Sequence, residues 1–256
     1  MGSFMTVQSR RPALAGNGRL GAALLALALL FGVSATAARA DSARPIPAEL
    51  LPLSALQGQQ RLFASARNAP YWMLANYFET QNNQAYCSVA SSVMALNALG
   101  VARPATAQYP DYPFFTQAGF FDKVDPASLD VGAVATTGLT MEQLAAVLAT
   151  HPVKVERKYA SDMTIAQFRA TLRQQLAGSE RVVLANFDRK ELKELGSGHW
   201  SPLAAYHAGS DTVLLLDVAR YKYPSLWVPV AELYAAARSV DSTSGRSRGL
   251  ILLGKP

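Results

Sequence analysis

The sequence predicts an α+β domain in which helices come first and an antiparallel sheet follows. Three observations predict it. Helical periodicity and helix-capping signals occupy residues 87–176. Short apolar runs punctuated by turn residues occupy residues 181–253. Hydrophobic residues make up 50% of the 256 and charged ones 16%, a composition that can bury a core and excludes wholesale disorder.

The elements follow in order. Residues 41–54 hold Pro45, Pro47 and Pro52 and read as an extended lead-in, with one catalytic domain over 55–256. Cys87–Leu99 reads as a helix, because Val89, Val93, Leu96 and Leu99 recur at helical spacing and Gly100 is a natural stop. Residues 101–135 carry Tyr109, Tyr112, Phe114, Phe115, Phe120 and Phe121 and read as an ordered but irregular cover over the core. Two capping boxes announce the next helices: Thr140 with Gln143, and Thr164 with Gln167. Leu139 with Leu144, and Met163 with Phe168, stand at the positions of hydrophobic staples. Strands are expected at 181–187, 200–207, 212–218 and 248–253, with a helix at 230–238. The charged residues 188–195 read as a solvated loop or short helix, and 208–211 as a turn.

The charge balance divides along the chain. There are 24 Lys+Arg against 18 Asp+Glu, a net +6. Arg10, Arg11 and Arg19 precede the apolar run Leu20–Val33, and Ala38-Arg39-Ala40 has the form of a cleavage site. Residues 1–40 therefore read as a secretory signal, in competition with an uncleaved anchor. The apolar run of 14 residues is short for a span of ~20. Ser9-Arg10-Arg11 hints at twin-arginine export, weakened by Pro12 and Ala13. Removing residues 1–40 removes four arginines and no acid, which leaves a net +2. A nucleic-acid partner and a membrane anchor on the mature chain are then not expected, and a bacterial periplasmic or secreted enzyme is.

The chain has one cysteine, which excludes an intrachain disulfide, a CxxC pair and a multi-cysteine zinc site. Cys87 is either a small buried hydrophobe or a nucleophile. Its place at the start of a helix, where N–H groups and the dipole lower a thiol pKa, favours the second. A thiol nucleophile needs a base. His199 follows the turn Gly196-Ser197-Gly198, whose glycines let backbone pass close to a substrate. His207 reads as a surface residue and His151 as a cap or solvent residue. Asp217 ends the apolar run Val213–Leu216, and a buried carboxylate needs a partner. A hairpin about 208–211 brings it beside His199. The order Cys, His, Asp, with the thiol on an early helix and the others on a later sheet, is the papain-like arrangement. Gln81 can offer a side-chain amide to an oxyanion.

Three segments carry a resemblance: Gln81-Asn82-Asn83-Gln84-Ala85-Tyr86-Cys87, Gly196-Ser197-Gly198-His199-Trp200-Ser201-Pro202 and Asp217-Val218-Ala219-Arg220-Tyr221-Lys222-Tyr223-Pro224. Together they resemble the motifs of the phytochelatin synthase family, over roughly residues 55–253. The resemblance implies a papain-like fold and attack on the Cys–Gly bond of glutathione. Glycine leaves, and γ-Glu-Cys is held as a thioester and passed to water or to a glutathione or phytochelatin acceptor. It makes Cys87 the nucleophile, His199 the general base and acid, Asp217 its orienter and Gln81 the oxyanion donor. Asn186, Gly198 and Arg248 fall on the γ-glutamyl side, and Tyr86, Arg220 and Tyr223 on the second-substrate side. The blander alternative makes Arg248 a strand cap and Asn186 a partner for backbone groups. Trp200 and Trp227 read as core.

The chain resembles the short bacterial members, without the Cys-rich part of the plant enzymes. Such members are mainly glutathione hydrolases with weak transferase activity. No cofactor and no bound metal are expected for hydrolysis, and Cd²⁺ or Zn²⁺ would act as glutathione thiolate complexes. A homodimer is compatible with this reading. Two other functions remain open at this point: a papain-like peptidase acting on other peptides, and a non-enzymatic periplasmic thiol or metal-binding module.

Overall fold

In the computed structural model, which describes residues 44–107 and 110–256, an antiparallel sheet is packed between helices on both faces. The expected signal segment and Tyr109 lie outside the described residues. The chain begins with β1 (Leu51–Pro52), α1 (Leu56–Ala64), α2 (Ala69–Ala75) and α3 (Cys87–Leu99). It continues through α4 (Val131–Thr137), α5 (Met141–Ala149), β2 (Lys154–Tyr159) and α6 (Ile165–Gln175). It ends with β3 (Arg181–Asp188), β4 (Gly198–His207), β5 (Thr212–Leu215), β6 (Leu226–Pro229), α7 (Val230–Arg238) and β7 (Gly249–Gly254). The strand order is β1-β6-β5-β4-β3-β7-β2, antiparallel throughout.

Alternation along β3 builds the two cores. Val182 and Leu184 pack with Val93, Leu96, Leu144 and Leu148 of α3 and α5. Val183, Ala185 and Phe187 pack with Phe168, Leu172, Leu233 and Ala237 of α6 and α7. A strand covered on both faces loses the polar/apolar alternation of a one-sided sheet, which is why 181–187 reads as a continuous apolar run. Burying one such leucine or phenylalanine contributes roughly 1.5–3 kcal/mol.

α3 is more deeply placed than its periodicity indicates, since every residue but Ala98 is buried. A helix apolar or small on all sides is a core helix. It stops at Gly100, whose φ of 65° is left-handed, as expected of a residue without Cβ. Both capping boxes are present: the hydroxyls of Thr140 and Thr164 accept from the N–H groups of Gln143 and Gln167, whose side chains accept in return. Each cap contributes about 0.5–2 kcal/mol.

Several expectations are corrected. β2 and β6 were not expected. β2 reads Lys-Val-Glu-Arg-Lys-Tyr, and as an edge strand paired only with β7 it can keep its charges in water. β6 is four residues long and ends in a proline. β5 stops at Leu215, so Asp217 lies just past the strand rather than at its end. Residues 101–135 include the start of α4, preceded by an irregular stretch that buries Phe115, Phe120 and Phe121. His151 is buried, stacked on Phe120 with its Nε2 against the Phe120 carbonyl at 3.2 Å, not a solvent residue. The largest correction concerns 188–195. Its backbone does form a short 3-10 turn at Arg189–Leu192, yet Arg189, Leu192 and Glu194 are buried.

Among the described residues no helix is long and apolar enough to cross a membrane.

Candidate active site

The site forms where the start of α3 meets the start of β4. Cys87 is the first residue of α3, in the turn whose N–H groups have no partner within the helix. The Ser91 hydroxyl, one turn on, donates to the Trp200 carbonyl at 3.3 Å, which fixes the helix against the strand. Residue 200 directly follows His199, so the start of α3 packs against the strand that carries the imidazole.

His199 is buried, with its Nε2 2.9 Å from Asp217 Oδ1. A carboxylate accepts only, so Nε2 carries the hydrogen and Nδ1 is the nitrogen left for proton transfer. The hairpin through 208–211 makes this pairing, by the route expected from sequence. Asp217 Oδ1 also accepts from the Ala219 N–H at 2.8 Å. Its second oxygen accepts from Arg189 Nη2 at 2.6 Å. Arg189 turns its other guanidinium nitrogen to Glu194, and the three side chains are at most 2% exposed. The guanidinium lies over the Tyr223 ring at 5.2 Å.

The electrostatics follow from this burial. Burial pushes the Cys87 thiol up, against the pull of the Trp200 and Ser88 backbone. Burial thus outweighs the lowering expected from the helix terminus. Burial and the Arg189 charge hold His199 down at about 4, against the pull of Asp217. Asp217 is held at about 2: burial would raise it, but His199 and Arg189 outweigh that. Burial raises Glu194 to about 7 against the pull of Arg189. These shifts favour a neutral thiol and a neutral imidazole beside a charged carboxylate.

A cleft of about 860 Å³ opens in front of Cys87, with Gly198, Trp200, Asp241 and Arg248 among its walls. That is room for a small peptide. Arg248 is buried; its Nη1 donates to Asn186 Oδ1 at 3.1 Å, and its Nη2 stands 3.9 Å from Asp241 Oδ1. Its Nε is buried with no partner among the described residues. A buried donor without a partner is costly unless something fills it. Guanidinium and carboxylate thus face the same cleft.

Gly198 leaves the Arg248 guanidinium its place. A Cβ there would lie 2.5 Å from Arg248 Nη1 and 2.7 Å from Nη2. The Gly198→Ala variant should displace the guanidinium and raise KM about tenfold or more, the cost of a charge-assisted hydrogen bond, with a smaller change in kcat. Steady-state kinetics check this; an unchanged KM would contradict a binding role for Arg248.

Gln81 is buried on the loop before α3, and its own N–H donates to the Val218 carbonyl at 3.0 Å. Gln117, in the irregular stretch, holds this loop on both sides. Its amide donates to Glu79 Oε2 and the Thr80 carbonyl, and its oxygen accepts from the Asn82 N–H, each at 2.9 Å. His199 is thus paired with Asp217, and Gln81 is tied to the same segment through Val218, while Asn186 and Gly198 stand against Arg248. The second-substrate group is not gathered in the same way. Tyr86 precedes α3 and packs on Phe121, and Arg220 is exposed over the Phe78 ring at 4.6 Å. Tyr223 is 2% exposed, with its hydroxyl accepting from the Leu195 N–H, so it supports Arg189 and has no face to offer a substrate. Trp200 and Trp227 are buried, as expected.

Sequence reasoning missed Arg189, Glu194, Asp241 and Gln117. The signal for Arg189 was present in outline: a buried aspartate has two oxygens, and His199 takes only one. Among the described residues no group of three or more His, Cys, Asp or Glu side chains is gathered to hold a metal.

Comparison with known proteins agrees with the motifs. A phytochelatin synthase family profile matches residues 42–250. The chain is similar to glutathione gamma-glutamylcysteinyltransferase 1 of Lotus japonicus, 32% identical over 203 residues, which cover 78% of this chain and 39% of that protein. It is similar to the Arabidopsis thaliana protein of the same name, 32% identical over 186 residues, 73% of this chain and 37% of that one. It is also similar to the Schizosaccharomyces pombe glutathione gamma-glutamylcysteinyltransferase, 27% identical over 217 residues, 82% of this chain and 50% of that one. The chain thus spans half or less of the length of these relatives. With a family profile over most of its length, it belongs to the phytochelatin synthase family.

Proposed function

We propose that this chain is a papain-like acyltransferase and hydrolase that removes glycine from glutathione through a thioester on Cys87. The observation that carries the proposal is one cleft lined by Cys87, Arg248 and Asp241 together, with the His199–Asp217 pair on the strand and segment packed against the start of α3. The γ-glutamyl end of glutathione is a free amino acid head, with α-carboxylate and α-ammonium together. A guanidinium on the wall of the cleft suits the carboxylate, and Asp241 suits the ammonium. Asn186 holds the guanidinium in place. The relatives' printed name, glutathione gamma-glutamylcysteinyltransferase, supports the same substrate.

The chemistry runs from the resting neutral pair. His199 Nδ1 takes the Cys87 proton as sulfur attacks the carbonyl of the Cys–Gly bond. Asp217 holds the ring and stabilises the imidazolium. The Cys87 N–H and the Gln81 side polarise the carbonyl oxygen. The imidazolium returns its proton to the glycine nitrogen, glycine leaves, and γ-Glu-Cys remains as a thioester. Water attacks next, with His199 again as base, and frees γ-Glu-Cys and the thiol. A second glutathione amine in place of water gives (γ-Glu-Cys)₂-Gly. Cd²⁺ and Zn²⁺ enter as glutathione thiolate substrates. The N-terminal arginines and apolar run support export, with 41–256 as the mature enzyme.

Incubating residues 41–256 with glutathione, with and without Cd²⁺, and weighing the products tests the proposal. Free glycine with γ-Glu-Cys is expected, with a smaller yield of (γ-Glu-Cys)₂-Gly. Intact glutathione in both arms would contradict it.

A further inference from the structure

Glutathione carries two carboxylates, one on each side of the bond to be cut. The γ-glutamyl α-carboxylate stays with the acyl part, and the glycine carboxylate leaves with the amine. Among the described residues the cleft at Cys87 is likewise lined by two cations, Arg248 and Lys190. The proposed reaction gives Arg248 the first carboxylate, which leaves the second carboxylate and Lys190 each without a partner.

The charged run after β3 sorts its cations. Arg189 turns inward between Asp217 and Glu194. Lys193 pairs with Glu49. Lys190 does neither: it is exposed on the cleft wall, and its ammonium has no ion-pair or hydrogen-bond partner among the described residues. The backbone puts it there. Asp188 and Gly198 are paired across β3 and β4, and the Arg189 N–H donates to the Ser197 carbonyl at 3.1 Å. Lys190 comes next, where the chain leaves the ladder for the 3-10 turn Arg189–Leu192. Asp188 Oδ1 accepts the Lys190 N–H at 3.0 Å and so caps that turn. Asp188, Lys190, Ser197 and Gly198 thus form one wall of the cleft. Asp188 is the acid on that wall, and its bond goes to the Lys190 backbone rather than to the ammonium.

We propose that Lys190 is the specificity-determining contact for the carboxylate of the departing glycine. The proposal rests on the glutathione cleavage proposed above and narrows its substrate class to γ-Glu-Cys peptides that end in a free carboxylate one residue past the cut bond. The two cations differ as their two tasks require. Arg248 is a buried planar fork, suited to hold the acyl part through both steps. Lys190 is a hydrated point charge on a flexible stem, open to water, and suits a carboxylate that must depart once the bond breaks. No bond is made or broken at Lys190.

The test pairs a charge on the enzyme with a charge on the substrate. Glycine release from glutathione, and glycinamide release from its C-terminal amide, are followed as kcat/KM for wild type, Lys190→Gln and Lys193→Gln. Lys190→Gln removes an exposed charge that holds no partner, so its melting temperature should match wild type. Wild type should favour the free acid by about fivefold, the upper size of an exposed ion pair. Added salt should shrink that preference. Lys190→Gln should bring the acid-to-amide ratio to within about twofold, by loss on the acid. Lys193→Gln removes a cation from the end of the same turn, outside the cleft, and should keep the wild-type ratio. A wild type without preference for the acid overturns the proposal, and so does a Lys190→Gln enzyme with the wild-type ratio. An equal loss of ratio in Lys193→Gln overturns it too, because it would be an effect of overall charge. A wild-type chain that cleaves neither substrate would overturn the proposed reaction instead, so the two failures are distinguishable.

Discussion

Cys87→Ala releases no glycine from glutathione above background, a loss on the order of 10⁶-fold in kcat if the thiol is the nucleophile. The size follows from the chemistry. No other side chain can take over, because Cys87 is the only cysteine in the chain. The His199–Asp217 pair alone can at most activate water, without the acyl intermediate that splits the reaction into two easier steps. The variant should fold, because Cys87 loses only a sulfur and α3 is held by Val89, Val93 and Leu96. It should still bind glutathione through Arg248. Calorimetric titration together with a glycine assay separates the two properties. Binding without turnover is the expected result, and turnover at a measurable fraction of wild type would remove Cys87 from the reaction.

Arg189→Met should be the most destabilising single change in the site. Arg189 is the cation between two carboxylates, Asp217 and Glu194, that are at most 2% exposed. Replacing it by methionine keeps much of the volume over Phe187 and Tyr223 but leaves both carboxylates without their guanidinium. Breaking a buried ion pair from one side costs about 3–5 kcal/mol, most of it the cost of the orphaned charge. Asp217 keeps His199, whereas Glu194 keeps nothing comparable, so its carboxyl should take up a proton and stay neutral. Adding Glu194→Gln should therefore recover part of the loss. Urea unfolding of the single and double variants checks this. A double variant less stable than Arg189→Met alone would show that Glu194 is not the orphaned group. Activity should fall as well, because Arg189 fixes the second oxygen of Asp217 and so the angle at which Asp217 meets His199.

Much of this was legible in the sequence, for identifiable reasons. Helices with their own punctuation were read nearly to the residue: Thr140 and Thr164 cap α5 and α6, and Gly100 ends α3. β3 and β4 were legible because buried strands are written in apolar residues. β2 was not, because an edge strand is free to be charged and its pairing depends on β7, more than ninety residues later. The pairing of His199 with Asp217 was legible because the turn at 208–211 sets the register locally. Arg189 was not, because in a run of charges nothing local distinguishes the one that turns inward. Its reason to do so lies 28 residues away, in the second oxygen of Asp217. The direction in which the Cys87 pKa moves was not legible, for a similar cause. Helix position is visible in sequence, whereas the burial that outweighs it is a property of the assembled site.

The central claim is that this cleft reads the γ-glutamyl head and presents the Cys–Gly bond to Cys87. The most direct measurement is the rate of glycine release from glutathione against its isomer with an ordinary α-linked Glu-Cys-Gly chain, at equal concentrations. The isomer has the same atoms but no free α-carboxylate beside its α-ammonium, so Arg248 and Asp241 cannot be satisfied together. The account predicts release from glutathione faster by about 100-fold or more. Equal rates, or preference for the α-linked peptide, would contradict it and make the chain a general peptidase.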